Sequence, residues 1–147
     1  MIRAATASDL PALLEMQETF YREGGYPFVL DVARQAMDQL AGDPRLGRLL
    51  VIEWAGQIVG YLAITFGFTL EFGGRDAFVD ELYVTSAARS RGLGTRALAV
   101  AEQVCRDAGI MALHLEVEYS NDRARALYAR TGYVEHTRHL MTKRLAD

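Results

Sequence analysis

Three observations predict a mixed α+β fold, with a central, mostly antiparallel sheet flanked by about four helices. Apolar residues recur at helical spacing in the first 40 or so positions. The middle of the chain alternates apolar and polar residues in long runs broken by glycines. The second half then changes to helix, strand, helix and strand. No linker, repeat or low-complexity stretch interrupts this order, so residues 1–147 are expected to form a single domain.

Ile2 to Ala5 reads as a short strand. Thr6 or Ser8 can cap a helix that carries Pro11 in its first turn, because proline there loses no helical hydrogen bond. Leu10, Leu13, Leu14, Gln17, Phe20 and Tyr21 then share one face, and Gly24-Gly25 ends the helix. A second helix from about Asp31 points Val32, Ala36, Met37 and Leu40 inward and breaks at Gly42-Asp43-Pro44. Leu49–Trp54 is a strand, Ala55-Gly56 a tight turn, and Ile58, Gly60, Leu62, Ile64 and Phe66 alternate in the next strand toward Leu70. Gly73-Gly74 turns the chain into a third strand, Ala77–Val84.

Beyond the loop at Arg89–Gly94, the residues Ala97, Leu98, Ala101, Val104, Cys105 and Ala108 make a strong apolar helix face closed by Gly109. Ala112–Val117 is a strand, and Asn121–Thr131 a short helix with Gly132 just past its end. Tyr133–Leu145 is expected to supply one or two last strands.

Composition narrows the function. Half of the 147 residues are hydrophobic, 24% are charged, and the net charge is −3, so no basic face argues for a nucleic acid or an anionic membrane. No stretch approaches the ~18 apolar residues of a membrane span. The N-terminus lacks a secretory pattern, so the expected location is cytoplasmic. The lone Cys105 excludes an intrachain disulfide and reads as core. His114, His136 and His139 have no ligand spacing, so no metal site is expected.

The chemistry concentrates in Asp80-Glu81-Leu82-Tyr83-Val84 and the loop that follows, Arg89-Ser90-Arg91-Gly92-Leu93-Gly94-Thr95. This is a strand, a loop and a helix start. A helix start offers unpaired N–H groups and partial positive charge, which suit phosphate. Gly92 and Gly94 lack a Cβ and let an anion approach the backbone, and Arg89 and Arg91 add charge. No Gly-Lys-Ser/Thr follows, so this is no P-loop, and the third glycine of a dinucleotide fingerprint is missing.

Arg89-Ser90-Arg91-Gly92-Leu93-Gly94 resembles the R/Q-x-x-G-x-G/A signature of the GNAT superfamily of N-acetyltransferases. Leu82-Tyr83-Val84 is similar to that family's central strand, whose end is splayed by a bulge. A second signature follows in order: Leu115-Glu116-Val117, then Asn121, Ala124, Leu127-Tyr128 and Gly132-Tyr133. The resemblance covers essentially the whole chain. It implies the GNAT acyl-CoA N-acyltransferase fold and acetyl-CoA as cosubstrate.

The resemblance also implies roles. Backbone amides of Arg89, Ser90, Arg91, Gly92, Leu93, Gly94 and Thr95 would hold the pyrophosphate of CoA. The backbone of Leu82 and Val84 would pair with the pantetheine arm as an added strand would. Asn121 would bond nearby CoA groups, and its position equally suits a helix N-cap. Tyr128 would be the general acid, protonating a departing thiolate whose thiol has pKa ~8.5. An alkyl amine of pKa ~10.4 must lose a proton before it attacks. Asp80 and Glu81 are both candidates to take it, because neighbouring strand residues face opposite ways unless a bulge intervenes.

The acceptor is expected to be a small-molecule primary amine. Tyr21, Tyr26, Phe28, Phe66, Phe68, Glu71 and Phe72 are candidates to line its pocket. The segments Gly60–Phe66 and Val79–Val84 look most like the diamine and thialysine acetyltransferase branch, which implies a polyamine or lysine-like acceptor. An amino acid, an aminoglycoside or a protein amine are the alternatives, and a non-catalytic acyl-CoA sensor is the alternative of another class. No G-x-S-x-G elbow is present, which favours direct attack over a covalent acyl-enzyme. The family also implies a homodimer.

Overall fold

A computed structural model describes residues 1–146. Five strands form one sheet in the order β1 (Ile2–Ala4), β2 (Gly47–Trp54), β3 (Gln57–Thr69), β4 (Gly74–Val84) and β5 (Ala112–Leu115). The first three pairings are antiparallel and β4–β5 is parallel. The helices are α1 (Leu10–Gly24), α2 (Leu30–Gly42), α3 (Leu93–Asp107) and α4 (Asp122–Arg130). The predicted α+β architecture is the one found.

The chain enters α1 through a polar knot. The Thr6 N–H donates to the Asp9 carboxylate at 2.7 Å, and Arg3 grips the same carboxylate at 2.8 and 2.9 Å. These charge-assisted bonds hold the Asp9 carboxyl well below the usual carboxylate range, the Arg3 contact being the largest cause. Arg3 Nε also donates to Glu53 at 2.9 Å, tying β1 to β2.

Leu10, Leu13 and Leu14 of α1 and Met37 of α2 bury against Leu49, Val51, Tyr61, Ala63 and Tyr83 on one sheet face. That apolar burial, at roughly 25 cal/mol per Å2, is the main force holding the helices there. The inward face of α2 is narrower than the pattern predicts. Met37 is buried, but Val32 and Ala36 are exposed, because α2 touches the sheet mainly along β2 and leaves its flanks to solvent. On the other side α3 packs on β4 through Leu93, Ala97, Leu98, Ala101 and Cys105, so Cys105 is core as expected.

The Ala55-Gly56 turn takes φ values of 51° and 77°, the left-handed pair that a two-residue hairpin favours. At Gly60 an added Cβ would stand 2.2 Å from the Tyr83 carbonyl oxygen, so only glycine lets β3 and β4 come this close.

Residues Met1–Glu116 form one compact unit and the residues from Val117 onward a second. The second unit contains α4. Asn121 caps it, its Oδ1 accepting from the Ala124 N–H at 3.1 Å. The helix ends with Gly132 at φ 97° and the Tyr133 N–H donating to the Tyr128 carbonyl at 3.0 Å, a closing turn that needs the left-handed residue. The strands expected over Tyr133–Leu145 do not form among the described residues. Val134, Leu140, Met141 and Leu145 stay exposed, and an apolar stretch becomes a strand only where a sheet edge pairs it.

Candidate active site

The register of β3 against β4 sets the site. Ala63 faces Glu81 and Ile64 faces Val79, so Asp80 has no partner across the ladder and forms a β-bulge. A bulge breaks the alternation of side chains. Asp80 and Glu81 therefore line the same cavity, of about 410 Å3, together with Phe20, Tyr21, Tyr26 and Pro27. The sequence left the two carboxylates as alternatives, and the bulge brings both to one place.

They are held differently. Glu81 accepts hydrogen bonds from Gln17 Nε2 at 3.0 Å, from the Tyr61 hydroxyl at 2.7 Å and from the Tyr21 hydroxyl. Burial first, and Glu81 second, push both phenols up, so Tyr21 and Tyr61 keep their protons and act as donors. Asp80 carries no such brace. Surrounding protein atoms desolvate its carboxylate, and Glu81 and Glu116 repel it, which together push its pKa up. A carboxyl raised in this way binds a proton more readily.

The aromatic wall follows from the end of α1. Gly25 at φ 74° reverses the chain, and the Tyr26 N–H bonds back to the Tyr21 carbonyl at 2.8 Å. An added Cβ on Gly24 would stand 2.7 Å from the Tyr26 ring, so the Gly-Gly pair lets that ring fold across the helix end. Tyr26 and Phe28 then meet Tyr21 edge-on, with ring centroids 6.2 and 5.8 Å away. A second cavity of about 350 Å3 opens between α2 and β3, and Asp80 lines it too.

Leading away from the acids, β4 offers a free edge. Its parallel pairing with β5 covers only Asp76–Val79. The Thr85 N–H bonds the Val59 carbonyl at 2.8 Å, and pairing alternates, so Glu81 and Tyr83 turn toward β3 while Leu82 and Val84 turn outward. Arg89 takes up the Val84 carbonyl at 2.8 Å, pairs with Glu23 at 3.0 Å and lies over the Tyr83 ring. The Arg89 side chain thus anchors the loop to α1. Gly92 caps α3 at φ 75°, with open space where a Cβ would be. The first amides of α3, at Leu93, Gly94 and Thr95, follow it, where a helix has no partners of its own to give them. Ser90 has a positive φ of 65°, and Arg91 stacks over Trp54 at 5.5 Å. The outward amides of β4 match an amide-bearing arm, and the α3 start matches a phosphate.

In the second unit, Tyr128 is half-buried, burial pushes its phenol up, and its ring meets Tyr133 edge-on at 6.0 Å. Of the residues expected to line an acceptor pocket, Tyr21 and Tyr26 line the first cavity and Phe66 the second, while Phe28 buttresses Tyr21. Phe68 and Glu71 are exposed away from both cavities, and Phe72 instead packs at a tilt against His114. His114 pairs with Asp76 at 3.1 Å, and no group of three or more metal-ligating residues occurs among the described residues. Sequence reasoning missed Gln17 and Tyr61 as supports of Glu81. The Gln17 amide on an otherwise apolar helix face was the available signal, and Tyr61 gave none, because a tyrosine in a core strand reads as packing.

The Acetyltransferase (GNAT) family profile matches residues 10–133. The chain is 32% identical over 89 residues to the uncharacterized N-acetyltransferase YhfO of Bacillus subtilis (strain 168), a match spanning 60% of each chain. An integron cassette protein, HFX_CASS3, from the mobile metagenome of Cole Harbour Salt Marsh superposes with TM-score 0.88 at 37% identity, over 99% of this chain and 91% of its own. A protein of Clostridium difficile 630 described as a possible acetyltransferase shares the fold, with TM-score 0.87 at 21% identity over 100% and 98% of the two chains. With the edge of β4 that β5 leaves unpaired, the glycine-capped helix and a family match over most of its length, the chain belongs to the GNAT family of acetyltransferases.

Proposed function

We propose that this protein transfers the acetyl group of acetyl-CoA to a primary amine by direct attack within a ternary complex. The observation that carries this reading is the bulge at Asp80, which puts a raised, unbraced carboxylate beside a fixed one. Both sit just before the outward edge of Leu82 and Val84, which no strand pairs. Acetyl-CoA, when bound, supplies an activated thioester carbonyl. The outward backbone of Leu82 and Val84 orients its arm, and the amides from Arg89 to Thr95 hold its phosphates.

Asp80 is the base. It accepts the proton from the acceptor ammonium, directly or through one water, and frees the nitrogen lone pair. The C–N bond forms as the C–S bond breaks, and Tyr128, by its place in the family motif, gives the leaving sulfur its proton. Glu81 is a fixed anion that holds the ammonium beside Asp80 through a charge-assisted bond. Phe20, Tyr21 and Tyr26 favour the same cation through their ring faces. A small cationic amine, of which polyamines and lysine-like molecules are examples, fits that wall.

The single family match over residues 10–133 runs through both units and supports reading residues 1–147 as one acetyltransferase domain. The exposed Phe68 and Leu70 support a homodimer, which a light-scattering mass of one chain would exclude. No helix among the described residues is long and apolar enough to cross a membrane.

A thiol-release assay with acetyl-CoA and an amine panel tests the function. Turnover with at least one amine, reduced about 100-fold in Asp80→Asn with CoA binding intact, supports it. Silence across the panel in a protein that CoA still protects from heat overturns it in favour of an acyl-CoA sensor.

A further inference from the structure

Asp80 lines two cavities, and they differ in chemistry. The first is the aromatic and acidic one. The second, about 350 Å3, lies between α2 and β3 and is lined by Ala36, Leu40, Leu46 and Phe66, with Gln39 and Thr65 as its neutral polar groups. Asp80 is its one charged side chain. Its volume lies in the range of small-molecule sites, about 300–1,000 Å3.

The second cavity has a cause in the fold. Along α2, Met37 is the residue that buries, Leu40 packs against the core but stays partly open, and Ala36 is exposed, so the Ala36–Leu40 side borders an opening beside the core. Leu46 stands 45% exposed at the entry to β2, where its carbonyl accepts from the Phe66 N–H at 2.9 Å. An apolar surface left open beside a carboxylate that also serves the cation chamber suits one kind of molecule.

Resting on the function proposed above, we infer that the acceptor carries a single ammonium on an extended apolar body, and that the α2–β3 cavity is the subsite for that body. The ammonium sits at Asp80 and Glu81, and the hydrocarbon lies along Ala36, Leu40 and Leu46. Gln39 and Thr65 can bond a neutral polar group on it. A second ammonium placed there would be desolvated with no carboxylate of its own, because Asp80 is already engaged by the first. The subsite therefore selects against α,ω-diamines and narrows the polyamine expectation to monoamines with an apolar arm.

The test compares ethylamine, butylamine, hexylamine and 1,6-diaminohexane by calorimetric binding and by thiol release with acetyl-CoA. Affinity is expected to rise about threefold per added methylene. Hexylamine is expected to bind at least ~10-fold more tightly than the diamine of equal length. Two variants at exposed positions localise the effect. Ala36→Phe is expected to keep ethylamine binding and to abolish the gain with length. Leu46→Glu is expected to reverse the preference toward 1,6-diaminohexane.

Tighter binding of the diamine by the unaltered protein, or a length gain that survives Ala36→Phe, overturns the subsite and leaves the acetyltransferase reading standing if thiol is released. A length series that holds in calorimetry with no thiol released from any amine keeps the subsite and overturns the catalytic reading. A flat length series with no thiol released overturns both.

Discussion

The Tyr61 hydroxyl, on a fully buried ring in the middle of β3, donates to Glu81 at 2.7 Å. Tyr61 and Glu81 lie on adjacent strands on one sheet face, so the core itself reaches up to fix one wall of the site. Tyr21 and Gln17 complete the grip from α1. The arrangement makes Glu81 the rigid member of the acid pair and leaves Asp80 as the group free to exchange a proton.

Removing the Tyr61 hydroxyl tests the grip. Tyr61→Phe leaves Glu81 one donor short and is expected to cost about 1–2 kcal/mol. The melting temperature should fall by roughly 2–8 °C, at about 2–4 °C per kcal/mol. Binding of the amine should weaken more than binding of CoA, as paired titrations would show.

Asp80→Asn should trade activity against stability. Its carboxyl is raised in the folded protein above its ordinary pKa of ~3.9. A carboxyl raised by folding contributes stability that is full below its unfolded pKa and is lost as pH rises through the folded value. At pH 7 the charged Asp80 therefore costs stability, and the neutral Asn is expected to raise the melting temperature there, with the difference shrinking toward acid pH. In the unaltered enzyme the acid limb of kcat/KM should lie above pH ~4. That limb should vanish in Asp80→Asn along with about 100-fold of the rate.

Gly60→Ala probes the close approach of β3 and β4. Its new Cβ would meet the Tyr83 carbonyl oxygen at 2.2 Å, and backbone cannot swing aside as a flexible side chain can. A loss of about 1–3 kcal/mol is expected from overpacking, read as a lower urea midpoint with an unchanged slope. A full midpoint would show that the ladder parts there without cost.

Tyr128→Phe separates proton donation from binding. The half-buried phenol is pushed up, so it holds its proton at neutral pH and can give it to a leaving sulfur. The variant is expected to lose about 100-fold in kcat. CoA should still protect it from thermal unfolding to the same extent. Unchanged turnover would move the acid role to another group or to water.

Much of the site could be read along the chain because its signals are local. Gly92 can be placed at the start of α3 because a left-handed cap and an open approach to backbone both demand glycine. Gly132 after α4 and the Ala55-Gly56 turn were legible for similar reasons. Asn121 was legible as a cap, and its Oδ1 accepting from the Ala124 N–H is the local contact that its residue type favours. The strands expected over Tyr133–Leu145 were not recoverable, because alternation there signals only that a strand is tolerable.

The sequence by itself determined the order of the elements, the phosphate-suited helix start and the nomination of Asp80, Glu81 and Tyr128. The first two depend on residues within a few positions of one another, where periodicity and steric limits act directly, and the role of Tyr128 rests on the family resemblance. Only the tertiary structure decided that Asp80 is the bulged residue, that Glu81 is clamped by Gln17, Tyr21 and Tyr61, and that Asp80 serves two cavities of unlike polarity. Those facts turn on which residue of β3 stands opposite which residue of β4, and on how α1 and α2 settle on the sheet. A register is fixed by the packing of whole elements, so contacts 20 to 64 positions apart in the chain are decided only when the core closes.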